Sequence, residues 1–224
     1  MYDDLRLDHS STVDRAADEI RRALFAGQLA PGTPLREVAL SEAMGVGRST
    51  IREALTVLVA EGVAVRVPNK GVAVKELDTA DVHDVTLARA ALEGAGVRHW
   101  SQASQASRHE LNDALDAYAR LADAKPDPAA LTHAHLQIHR ALVGLTGSRR
   151  LLAATDALSA EIRLGLAQLD RTRGNIADQV ESHRRLVQLL DVGPESAALE
   201  ELAYHLAVAE ASLLDATGHG TIPP

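Results

Sequence analysis

The sequence predicts a mainly α chain in two parts: three short helices and one β-hairpin, then helices alone. Three observations carry this. Apolar residues recur every three or four positions through most of the 224 residues. Two β-branched runs flank a single Pro-Asn-Lys-Gly turn at 68–71, and no strand pattern follows it. The length is generous for one helical unit and suits two, expected at 1–77 and 78–224.

The first helix starts near Thr12, with Ser10 or Ser11 as cap and Val13, Ala16, Ala17, Ile20 and Leu24 on its apolar stripe; Gly27 stops it. After the turn-forming residues Pro31, Gly32 and Pro34, a second helix is expected over 35–44, with Leu35, Val38, Ala39 and Ala43 facing inward. Gly45 and Gly47 impose a tight turn before a third helix, 48–61, whose inner face is Ile51, Ala54, Leu55 and Leu58. Helix, glycine turn, helix is the arrangement of a helix-turn-helix, and the hairpin of 63–67 and 72–74 is its wing. Beyond residue 77, punctuation at 104–107, 126–128, 146–148, 173–175 and 192–194 divides the chain into about six antiparallel helices of roughly 15 to 25 residues.

Composition narrows the chemistry. With no cysteine there is no disulfide, thiolate nucleophile or cysteine-held zinc, so a metal must rest on His and carboxylate. Aromatics are 2 % of residues, too few for base-stacking platforms, which excludes single-strand and RNA-sheet recognition. No apolar run reaches membrane-spanning length and the first residues are acidic, unlike a signal peptide, so a cytoplasmic location is expected. The net charge of -8 opposes nucleic-acid binding, but its distribution does not. Within 45–75, Arg48, Arg52, Arg66, Lys70 and Lys75 face only Glu53 and Glu61. A basic patch inside an acidic chain fits duplex DNA.

The first turns of a recognition helix reach base edges, which selects Arg48, Ser49, Thr50 and Arg52, with Asn69, Lys70 and Gly71 at the wing tip for the minor groove or the backbone. At these residues the stretch PGTPLREVALSEAMGVGRSTIREALTVLVAEGVAVRVPNKGVAV resembles the GntR family of transcription regulators. The resemblance implies a homodimer on a palindromic operator, with Arg48, Thr50 and Arg52 on DNA and Gly71 in the minor groove. Family members often carry Arg where this chain has Val38 and Ser or Thr where it has Gly47. Arg36 is the nearest basic candidate, so Arg48, Thr50 and Arg52 carry more of the reading.

LARAALEGAGVR, HLQIHRALVGLTGS, ESHRRL and YHLAVAEASLL resemble the FCD domain of the FadR branch, in its six-helix VanR-like group. That resemblance implies a bundle-core metal held by Asp and three His beside a small carboxylate effector. His139, His183 and His205 match the three histidines, and His135 stands where the aspartate is expected. The residues point the same way: His135 and His139 are one helical turn apart, and His183 and His205 sit among apolar neighbours on later helices. Four imidazoles suit a divalent transition metal, Zn or Ni before Ca or Mg. Arg89 is the expected grip on the effector carboxylate, and Ser148 stands where the family carries a polar lining residue. Gly94 and Gly96 mark close packing or a bend. The expected function is an effector-controlled DNA-binding regulator, a repressor. Two alternatives remain at this point: a helical half that only dimerises, and a metal-dependent hydrolase, though Leu136, Gln137 and Ile138 supply no HExxH-type base.

Overall fold

The computed structural model describes residues 11–124, 127–169 and 176–216, in two compact units, Met1–Glu76 and Leu77–Pro224. Ser10, Pro126 and the punctuation at 173–175 lie outside the described residues.

In the first unit, α1 (Thr12–Phe25) opens on a capping box: the Ser11 hydroxyl accepts the Asp14 N–H, and the Asp14 carboxylate accepts the Ser11 N–H. Ala16, Ala17, Ile20 and Leu24 are buried as the periodicity requires. α2 (Glu37–Met44) starts later than expected. Leu35 N–H donates to the Val72 carbonyl at 2.8 Å, which holds residue 35 extended, and Leu35 is buried there ahead of the helix. The inward face predicted for α2 is therefore corrected: Val38, Ala39 and Ala43 are exposed, while Leu40 and Met44, four apart, are half-buried. Gly45 takes φ +64, the left-handed C-cap that lets the chain reverse without steric cost. α3 (Arg48–Ala60) buries Ile51, Ala54, Leu55 and Leu58 against α1.

The wing is an antiparallel pair, β1 (Ala64–Val67) and β2 (Gly71–Val74), in the register Ala64↔Val74 to Val67↔Gly71. Lys70 N–H closes the turn on the Val67 carbonyl, and Asn69 takes φ +61. The segment expected only to turn adds a third edge: Pro34 bridges Ala73, and Val74 N–H donates to the Thr33 carbonyl. A free strand edge leaves backbone groups unpaired, and this segment satisfies part of it.

The second unit holds six α-helices among the described residues: α4 (Thr79–His99), α5 (Gln105–Asp123), α6 (Pro128–Gly144), α7 (Arg149–Leu169), α8 (Ile176–Val192) and α9 (Glu195–Ala216). Asp78 and Asp81 form a second capping box at α4, and Asp127 caps α6 ahead of Pro128 at its first turn. α6 packs against α4, α5 and α7, so its buried face runs through the middle of the unit. Leu111, Tyr118, Ile138, Leu142, Leu186 and Leu202 form its main core with their neighbours. Gly96 explains itself: a Cβ there would sit 1.9 Å from the Leu142 carbonyl oxygen, so α4 and α6 touch backbone to side-chain-free backbone. No helix among the described residues is long and apolar enough to cross a membrane.

Candidate metal centre and nucleic-acid interface

α6 places His135 and His139 one turn apart on its buried face, α8 contributes His183 and α9 His205. All four are buried, and one ring nitrogen from each lies within 4.8 Å of the others. The Nε2 atoms of His135 and His139 are 3.1 Å apart, and those of His139 and His183 are 3.3 Å apart. Around the cluster, other groups fix the rings. Glu93 of α4 accepts from His139 Nδ1 at 2.9 Å, the Gln179 carbonyl accepts from His183 Nδ1 at 2.6 Å, and Ser182 Oγ lies 3.1 Å from His205 Nδ1. The Tyr118 ring stacks on His135, and its hydroxyl donates to the Gln179 side chain.

These partners assign tautomers. With Nδ1–H of His139 and His183 directed at acceptors, their Nε2 lone pairs face each other at 3.3 Å. Two lone pairs at that distance repel unless a cation lies between them. A tetrahedral ion bound at about 2.05 Å puts its ligand nitrogens roughly 3.3 to 3.4 Å apart, close to the spacing here. His205 Nε2 is buried with no hydrogen-bond partner, so it has a lone pair or proton unspent. Burial, with Arg89 and His183 nearby, pushes the His139 pKa well below the ordinary histidine range. Burial, with His183, His139 and Arg89, does the same to His205 despite an opposing effect of Glu93. Neutral imidazole is the form that ligates metals. The residues fit the group.

Glu93 was not singled out from the sequence. It is 2 % exposed and accepts from both His139 and Arg89 Nε, the latter at 2.8 Å. Its signal was present: a carboxylate four residues after an arginine, inside the apolar stretch LARAALEGAGV. Arg89 is buried with it, and Arg89 Nη2 has no hydrogen-bond partner. Arg89, Glu93 and His139 line a cavity of about 10 Å³ against Thr155 and Ser159 of α7, room for one water. On the opposite side a cavity of about 310 Å³ opens between α8 and α9, reaching His135 and His205. Ser148 lines neither; its hydroxyl accepts the Leu151 N–H at the start of α7. A further cavity, about 570 Å³, is an open groove between α1 and α2 beside Arg15, Glu19 and Met44, and among the described residues no metal-ligating cluster lines it.

In the first unit Arg48 and Ser49 are exposed and Thr50 is half-buried at the start of α3, while Asn69, Lys70 and Gly71 are exposed at the hairpin tip. Arg52 is held bidentately by Glu37 of α2, through Nε at 3.0 Å and Nη2 at 2.8 Å. That bond holds the Glu37 carboxyl below its ordinary pKa. Arg36 precedes it, exposed, and Val38 is 49 % exposed. Arg66 of β1 donates to the Thr56 hydroxyl at 2.9 Å and ties the wing to α3.

The profile of the bacterial regulatory proteins of the gntR family matches residues 12–74, and that of the FCD domain matches residues 84–208. A Paenarthrobacter nicotinovorans protein named "Probable D-xylose utilization operon transcriptional repressor" is 28 % identical over 214 residues, 96 % of this chain and 92 % of its own length. A crystal structure titled as a GntR transcriptional regulator from Rhodococcus sp. RHA1 is 26 % identical, covers 92 % of this chain and 99 % of its own, and has a TM-score of 0.77. The Escherichia coli protein McbR/YncC shares the fold at 20 % identity and a TM-score of 0.74, over 92 % of this chain and 99 % of its own.

Proposed function

This chain belongs to the GntR family of bacterial regulatory proteins and carries an FCD domain, and from that premise we propose that it is a metal-dependent, effector-controlled repressor. It is a DNA-binding transcription regulator and not an enzyme, because both matched families and the named relatives are transcription regulators. The hydrolase alternative therefore falls.

The observation that carries the finer reading is the buried four-histidine cluster with its Nε2 atoms converging. His135, His139, His183 and His205 would hold a divalent transition metal, Zn or Ni on donor chemistry. Bound there, the metal would supply a positive charge that attracts a small anion toward the site. Beside it, the unspent Nη2 of Arg89 suits one oxygen of a small carboxylate effector. The small cavity must widen to admit more than a water, so binding would displace α7 or turn Arg89 away from Glu93. α4, which carries both residues, is separated from the wing strand β2 by four residues, so its movement would be delivered to that linker. Two copies of the first unit on a palindrome respond to such a shift through half-site fit, reading with Arg48, Ser49, Thr50 and Arg52, with Arg36 flanking and Asn69, Lys70 and Gly71 at the wing. A cytoplasmic homodimer is the form this requires.

The test measures metal content and binding to the chain's own upstream DNA, with and without a panel of organic acids. Stoichiometric metal lost in His139→Ala and His183→Ala, and DNA affinity that falls with salt and changes with one acid, are expected. Stoichiometric metal surviving both changes sinks the metal reading. DNA binding indifferent to every acid leaves the helical unit as a dimerising module and overturns effector control.

A further inference from the structure

Two cavities reach the four histidines, one of about 310 Å³ with carboxylates at its edge and one of about 10 Å³ occupied by the Arg89–Glu93 pair. From this asymmetry we infer that a divalent cation reaches the cluster through the cavity between α8 and α9, guided by Asp178 and Glu181. The inference rests on the metal-binding reading and adds the route by which the site is loaded.

The ligands are 0 to 8 % exposed, so an ion cannot find them from bulk water without a polar way in. A doubly charged ion does not cross a packed apolar wall, because its desolvation there is prohibitive. The α8–α9 cavity, about 310 Å³, provides the way. His135 and His205 form part of its lining, and exposed Asp178 and Glu181 supply two carboxylates to it, with Ser182 and Gln179 between. His205 Nε2, buried and without a hydrogen-bond partner, is the first unspent donor an entering ion meets. Arg185 shares this lining, but Glu201 holds it at 2.6 Å and offsets its charge. Arg184 forms an ion pair with Glu181 at 3.8 Å, but both side chains are exposed and solvent screens the pair.

The other cavity offers no such way: Arg89 and Glu93, ion-paired at 2.8 Å, line it and offset one another, and at about 10 Å³ it is too small for a hydrated cation. His183, 0 % exposed, and His139 are reached only after His205 and His135. Carboxylates along such a path raise local cation concentration and the association rate by about 10- to 1,000-fold, an effect that salt screens.

The experiment follows Zn²⁺ uptake by metal-depleted full-length protein in a stopped-flow instrument, using a chromophoric chelator, at low and high salt. Asp178→Asn/Glu181→Gln is compared with wild type and with Asp113→Asn/Asp116→Asn, which changes net charge equally on the exposed side of α5. The expected result is uptake slowed about tenfold in the first variant at low salt, converging with wild type at high salt. Final stoichiometry and the melting temperature of the loaded protein stay unchanged, and the α5 control keeps the wild-type rate. Equal rates in the first variant and wild type overturn the inference, as does an equal slowing in the control or a slowing that salt leaves intact. A wild type that takes up no Zn²⁺ rejects the metal reading itself, and this route with it.

Discussion

Glu93 is the residue on which the histidine cluster and Arg89 both lean. Its two oxygens accept from His139 Nδ1 and Arg89 Nε, both nearly solvent-free. A glutamine keeps the shape but only one acceptor oxygen, so either His139 or Arg89 faces an amide N–H₂. Groups that orient metal-bound histidines typically govern 10- to 100-fold in affinity. Glu93→Gln is therefore expected to weaken metal binding by about that factor, read by competition with a chelator of known affinity, while the protein stays folded. Unchanged affinity would show that Glu93 serves Arg89 alone. In the first unit, Arg52 is braced by Glu37, which would lower the cost of ordering its fork at a base in the proposed DNA complex. Arg52→Ala should lose about 1 to 3 kcal/mol on the operator and relax preference at one base pair. Uniform weakening across all single-base operator variants would assign it to phosphate contact instead.

At the scale of elements, α4 and α6 are joined at a point with no room for a side chain. The Cβ that Gly96→Ala adds meets Leu142 backbone, which cannot swing aside as a flexible side chain would. Overpacking of this kind costs about 1 to 3 kcal/mol, and chemical denaturation should show it. Because α4 carries Glu93 and α6 carries His139, the same change should also loosen metal binding. Loss of stability with metal affinity intact would separate the helix contact from the site. The departure at α2 has an equally local cause. Its apolar residues suggested an inner face starting at Leu35, but Leu35 is consumed by strand-like pairing with Val72. The helix then starts two residues later, and Val38 turns outward, 49 % exposed.

For the whole molecule, the buried histidines make acid the natural stress on the metal-free protein. His139 and His205 titrate well below the ordinary histidine value when folded, so on acidification the unfolded chain takes up protons first. Their contribution to stability is complete above the ordinary value and is lost progressively as pH falls beneath it. The melting temperature of metal-free protein should hold steady from about pH 8 to 7 and fall towards about pH 5.5. His139→Gln/His205→Gln should flatten that slope, and an unaltered slope would place the acid sensitivity elsewhere, for example at His133, also depressed by burial and Arg163.

Local signals were enough for much of this. The cap at Ser11, the Gly45 turn, the stripe of α3 and the existence of the hairpin follow from neighbours in the chain, because backbone sterics and helical period act over a few residues. So did the pair His135 and His139, one turn apart on α6. That His183 and His205 complete a cluster with them was suggested by apolar neighbours, yet only packing of three helices brings the ring nitrogens within 4.8 Å. The Arg89–Glu93 spacing was legible as an i,i+4 pair, but the contact of Glu93 with His139 and the unequal size of the two cavities belong to tertiary structure. Electrostatic pairing depends on distances between helices far apart in sequence, and no local pattern encodes those distances.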